Sequence, residues 1–151
     1  MQIPDPGKFT DPIKLRKLAI NARRLGETKL ALDCQLRIAE LAGQPYEAGM
    51  EREFWTAVSW AEEYKSVANG KNTKLTKVRA KHKRAGTVQC LIDWAKDPEV
   101  TDGFDVLIAA GHSDLTGEAI VVRHAEMFDP EIVAIAERKL STERAAPVPA
   151  E

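Results

Sequence analysis

Between Glu63 and Asp93 the chain has no acidic residue, although acids outnumber bases by 23 to 22 overall. Cations in that interval therefore have no local carboxylate to neutralise them. Strand signals are almost as scarce. The one β-branched run, Ala-Ile-Val-Val at 119–122, lies inside a pattern of helical spacing, which argues against a sheet-based fold. Cysteine is limited to Cys34 and Cys90, far apart and at no metal-ligand spacing. Both fall in apolar-periodic segments and are expected to be buried free thiols in a reducing cytoplasm. A disulfide between them is the remaining reading, because spacing does not give distance. No stretch of about 18 apolar residues is present, so no membrane span is expected. The start, Met-Gln-Ile-Pro-Asp-Pro-Gly, has neither a charged nor an apolar signal region, so no secretory leader is expected.

Catalytic patterns are missing too. There is no phosphate-cradling Walker loop, no GxGxxG and no GxSxG. The three histidines, His82, His112 and His124, have no His or Cys three or four residues away. No metal site and no cofactor is therefore expected, and structural roles are assigned to all three. Asp114, Glu118 and Glu126 can share a helical surface with His124, at spacings any amphipathic helix shows. No catalytic residue is assigned. A nuclease groups acids to hold its metal, whereas here they are dispersed and absent around the cations. An enzyme, or an enzyme subunit acting on nucleic acid, is the third-ranked reading.

What is present is helix punctuation. At 151 residues, 44% hydrophobic and 30% charged, the chain fits one soluble domain with a core of its own. Asp11-Pro12 is an N-cap followed by proline, and Leu15, Leu18, Ala19, Ala22 and Leu25 continue as an apolar face to Gly26. A second helix is predicted over 28–42, with Leu30, Ala31, Cys34 and Ile38 inward, broken by Gly43-Gln-Pro45. The longest is predicted over 46–67, on Met50, Phe54, Ala57, Val58 and Ala61. Trp55 and Trp60 lie off that stripe, so either this helix is buried on two sides or one Trp is partly exposed. Further helices are predicted over 87–96, 104–110, 115–125 and 130–140. The expected fold is an all-α, compact bundle of about eight short helices in a single domain, 1–141, with a disordered tail at 142–151.

The first two helices, residues 12–43, resemble a tetratricopeptide (TPR-like) repeat. The likeness rests on Leu18, the small Ala19, Gly26 at the turn, Ala31, and Glu40-Leu41 at the end. The large aromatic positions of that repeat hold Ala22 and Gln35 here, and no second copy follows. The resemblance implies a hairpin that packs on the rest of the domain and can receive a protein partner. A generic helical hairpin fits nearly as well.

The basic segment, 71–86, is the strongest pointer to a partner. Lys65, Lys71, Lys74, Lys77, Arg79, Lys81, Lys83 and Arg84 all fall in the acid-free interval, and the rest of the chain has 14 bases against 23 acids. The net charge of −1 thus hides a strongly dipolar molecule. Read as a helix over 74–85, Lys74, Lys77, Lys81 and Arg84 form one stripe. Leu75, Val78, His82 and Ala85 form an adjacent apolar seam, with Arg79 on its other flank and Lys83 on the back. Such a helix docks by its seam and offers cations to phosphates. The other readings are a merely solvated face, packing on acids of the preceding helix such as Glu47, Glu51, Glu62 and Glu63, and contact with another acidic partner. A helix-turn-helix is disfavoured, because the helix after Gly86 is apolar and acidic, the wrong chemistry for base edges.

The expected function is non-catalytic nucleic-acid binding in the cytoplasm, with duplex DNA preferred and specificity modest. Aromatics for stacking single strands are scarce in the basic stretch. The candidate contacts are Lys71, Lys74, Lys77, Arg79, Lys81, Lys83 and Arg84, the two arginines being suited to bidentate bonds. The second reading is a protein–protein adaptor using the TPR-like hairpin. Trp94 and Phe104 are expected to be buried together, joining the basic helix to the C-terminal helices.

Overall fold

The computed structural model describes residues 4–99 and 103–145, the side chains of 142–145 excepted. Eight α-helices and no strand occur among the described residues. They are α1 (Pro12–Arg24), α2 (Thr28–Gly43), α3 (Met50–Asn69), α4 (Thr76–Ala85), α5 (Thr87–Lys96), α6 (Phe104–Ala109), α7 (Gly117–Arg123) and α8 (Pro130–Ala145). Short 3-10 turns lie at Pro6–Lys8, ahead of α1, and at Ser113–Leu115 and Ala125–Met127, on either side of α7. The chain is therefore an all-α bundle, as the helical periodicity predicts.

Local chemistry sets most of the ends. Asp11 caps α1 by accepting the Ile13 N–H at 2.9 Å, with Pro12 at the first helical position. Gly70 adopts the left-handed conformation that closes α3. Gly86, at φ +89°, is both the end of α4 and the start of α5, so one residue reverses the chain between them. Several boundaries depart from expectation. The helix predicted over 115–125 is confined to Gly117–Arg123, with 3-10 turns on either side. The third helix starts at Met50 rather than at 46, after a loop that ends in Gly49 at φ +111°. The last helix extends through Ala145, beyond the predicted end at 140; residues 146–151, the rest of the expected tail, lie outside the described residues.

The long α3 is the shared wall of the molecule. On one side Phe54, Ala57 and Val58 join Cys90, Leu91 and Ala95 of α5, Ile120 and Val121 of α7, and Ile132 and Ala136 of α8 in the main core. On the other, Trp60 is buried against Ala39 of α2 and Leu107 of α6. Both options for the two tryptophans are realised: Trp60 is buried and Trp55 is half-buried. The α1–α2 hairpin has a small core of its own, Leu15, Ala19, Cys34 and Ile38. It meets α3 so closely that a Cβ on Gly43 would clash with Thr56 Oγ1 and lie 2.9 Å from the Arg52 carbonyl. Both cysteines are buried free thiols, and burial pushes both thiols up, away from the reactive thiolate.

The expected burial of Trp94 with Phe104 is met in part: both rings line one small cavity with Trp60 and Gly117, but they pack mainly on different neighbours. Phe104 is buried with Ala119 and Leu140. Trp94 is half-buried and stacks on Phe54 at 5.5 Å, its ring lying against Gly117. Periodicity places both rings inward, but the missing side chain at Gly117 decides where the larger one fits.

Candidate nucleic-acid interface

The helix α4 has no fully buried residue. Leu75 and Val78 pack on the main core as the seam requires. His82 completes the seam by stacking on Phe54 at 5.2 Å and meeting Trp55 edge-on at 4.7 Å. Its Nε2 lies 2.9 Å from Thr87 Oγ1 and 3.2 Å from Glu51 Oε1, and Thr87 also donates to Glu51. Thus His82 has a structural post between α3, α4 and α5.

The cations at the two edges of the seam turn inward to carboxylates. Arg79 donates through Nε and Nη2 to the two oxygens of Glu62, at 2.6 and 2.7 Å, and its guanidinium lies over Trp55 at 5.3 Å. Glu62 is almost fully buried and also accepts the Leu75 N–H at 2.9 Å, with Lys74 Nζ at 3.7 Å. The bond to Leu75 explains why the helix begins at Thr76 rather than at Lys74. Burial pushes the Glu62 carboxyl up, but the Arg79 fork, the Leu75 amide and Lys74 more than offset it, and its pKa falls below the ordinary 4.5. On the opposite edge Lys81 meets Asp93 of α5 at 2.5 Å. That bond is the main reason Asp93 is held below its ordinary 3.8.

The seven candidate residues therefore divide. Lys74, Arg79 and Lys81 form ion pairs within the fold. Lys71, Lys77, Lys83 and Arg84 are exposed and form no ion pair among the described residues. On the helix, Lys77, Lys83 and Arg84 are the positions turned away from the seam. The Arg79 fork, suited by its chemistry to a phosphate, is occupied by Glu62. Of the four acids considered for α4, Glu51 and Glu62 meet it, while Glu63 turns to Arg16 at 2.7 Å. The contact with Asp93 was not anticipated. A one-residue reversal at Gly86 brings positions on either side of it together, and that symmetry is the signal.

The loop ahead of α4 is tied down. Ser66 Oγ accepts the Thr73 N–H at 2.8 Å, and Asn69 Nδ2 donates to Thr73 Oγ1 at 3.2 Å. Lys71 is presented from this loop.

Elsewhere, two clusters of titratable groups have structural partners. His124 Nε2 lies 3.1 Å from Glu53, which also takes Arg123 at 2.6 Å. Glu118 is buried and holds Lys139 at 3.2 Å, so it does not join His124. No group of three or more His, Cys, Asp or Glu among the described residues is placed to hold a metal. No helix among the described residues is long and apolar enough to cross a membrane.

No family model matches the chain, and neither a curated protein nor a solved structure matches it. The likeness of α1–α2 to a tetratricopeptide hairpin thus rests only on the residues quoted for it.

Proposed function

We propose that the protein binds nucleic acid without catalysis, duplex DNA in preference, through the outer surface of α4 and the loop before it. The observation that carries this is the division of the cations. Arg79 and Lys81 fasten the helix to α3 and α5, and Lys77, Lys83 and Arg84, with Lys71 beside them, remain directed to solvent. Cations on a docked helix are held in a fixed pattern, which suits them to a regular line of phosphates. Contacts of this type position a protein on a duplex without reading its sequence, so specificity is modest.

The test is the chain with Lys77, Lys83 and Arg84 replaced together by Ala, titrated into a labelled duplex by fluorescence anisotropy. Affinity at about 50 mM salt is expected to fall by at least tenfold, roughly what losing several phosphate contacts implies. The melting temperature should hold, because none of the three has an ion pair among the described residues. Unchanged affinity contradicts the proposal.

A second reading is a protein–protein adaptor using the α1–α2 hairpin. It is favoured by Ile13, Ile20 and Leu25, which are 62%, 59% and 71% exposed on or just after α1. Ile13→Glu with Ile20→Glu separates the readings. Under the first, duplex affinity is unchanged; under the second, a co-purifying protein is lost.

A further inference from the structure

A cleft of about 600 Å³ lies between the α1–α2 hairpin, the C-terminal end of α3 and the loop 70–74. Four cationic side chains line it: Arg16, Arg23, Lys71 and Lys74. The one carboxylate in its lining, Glu63, is already tied to Arg16 at 2.7 Å. Lys74 leans toward Glu62 at 3.7 Å. Lys71 and Arg23 have no ion pair among the described residues.

Arg23 is the unusual member. Its Nη1 is buried and has no hydrogen-bond partner among the described residues. A buried charged donor without an acceptor carries its desolvation penalty uncompensated. A guanidinium offers fixed, planar donors that fit phosphate oxygens. The opposite wall is built before any ligand arrives. Besides the bonds from Ser66 and Asn69, Thr73 Oγ1 donates to the Lys71 carbonyl at 3.0 Å, and left-handed Gly70 sets the turn. Little ordering is then left for binding to impose on Lys71 and Asn72.

We propose that this cleft binds a phosphoryl group, carried either by the backbone of a bound duplex or by a free phosphorylated small molecule. Arg23 lines the wall with a guanidinium whose Nη1 has no partner among the described residues, and Lys71 closes on the anion from the loop. The site does not depend on the outer surface of α4, since Arg16 and Arg23 belong to α1.

The experiment is a pyrophosphate titration followed by ¹H–¹⁵N spectra, with ionic strength held constant by sodium chloride. Saturable shifts are expected at residues 70–74 and at the Arg23 side chain. Half-saturation should rise by roughly tenfold or more in Arg23→Gln, as expected for a lost charge-assisted contact, and binding should vanish in Arg23→Gln with Lys71→Gln. Lys71→Gln alone changes an exposed residue and keeps the test valid if the Arg23 variant folds poorly. The Lys77, Lys83 and Arg84 triple variant should bind pyrophosphate normally, so that this site and the α4 surface fail separately. Displacement of pyrophosphate by duplex assigns the phosphoryl group to a nucleic-acid backbone; simultaneous binding assigns it to a small molecule. Absence of saturable shifts, or equal binding by the Arg23–Lys71 double variant, overturns the proposal.

Discussion

Glu62 decides what Arg79 is available for. It is a nearly buried carboxylate with the Arg79 fork and a backbone amide both aimed at it. Glu62→Gln removes the charge, leaves the guanidinium without its counterion and weakens the anchor of α4. A loss of roughly 2 kcal/mol is expected, the size of a charge-assisted bond, read as a lower denaturant midpoint with an unchanged slope. The same carboxylate carries a pH dependence. Glu62 and Glu53 are both more acidic in the folded chain than their ordinary 4.5. For Glu53, burial acts upward, and Arg123 and His124 outweigh it. A carboxylate depressed by folding contributes stability that is complete above its unfolded value and is lost as pH falls through its folded value. The melting temperature should therefore decline once the pH drops below about 4.5, where these groups begin to protonate in the unfolded chain. In Glu62→Gln the decline should be shallower. An identical acid profile for that variant would show that the Arg79 pair contributes nothing.

Each helix is legible to a different degree. Those with explicit punctuation, such as α1 behind Asp11-Pro12 and α5 behind Gly86, can be located from sequence because capping is local chemistry. The seam of α4 was legible for the same reason, since Leu75, Val78 and His82 recur at helical spacing. What the spacing could not show is where the edge cations go. Arg79 finds Glu62 across 17 positions, and Lys81 finds Asp93 only because Gly86 folds α5 back beside α4. Periodicity assigns a face to each residue but not a partner on another helix. Likewise, the buried Glu118–Lys139 pair depends on α7 and α8 coming close, and the place of Trp94 depends on α7 approaching α5. Gly43 illustrates the point at the α2–α3 contact. In sequence it reads as a helix stop, whereas in the fold it is the last residue of α2 and a point of close approach to α3. Gly43→Ala should destabilise the domain by about 1–3 kcal/mol through overpacking, measured by chemical denaturation. A stable variant would mean that α2 and α3 can separate there without loss.

The molecule as a whole is an acidic body carrying a basic segment, joined through α3. Its net charge is −1, yet the chain outside the eight cations of the acid-free interval has 14 bases and 23 acids. Such an arrangement orients the protein toward a polyanion. The fold accounts for three of the seven candidate cations as internal fasteners and leaves four for contact. That division makes the salt dependence of duplex binding quantitative. Log affinity falls with log salt at a slope of about −0.9 per phosphate contacted, so four contacts give about −3.6, roughly a 150-fold loss between about 50 and 200 mM. The decisive measurement is this slope, from anisotropy titrations of one duplex at several salt concentrations, for the native chain and for the Lys77, Lys83 and Arg84 triple Ala variant. The expected result is a slope near −3.6 for the native chain and near −0.9 for the variant, where Lys71 alone remains. A slope near zero, or one that the three substitutions leave unchanged, would contradict a phosphate-binding role for α4.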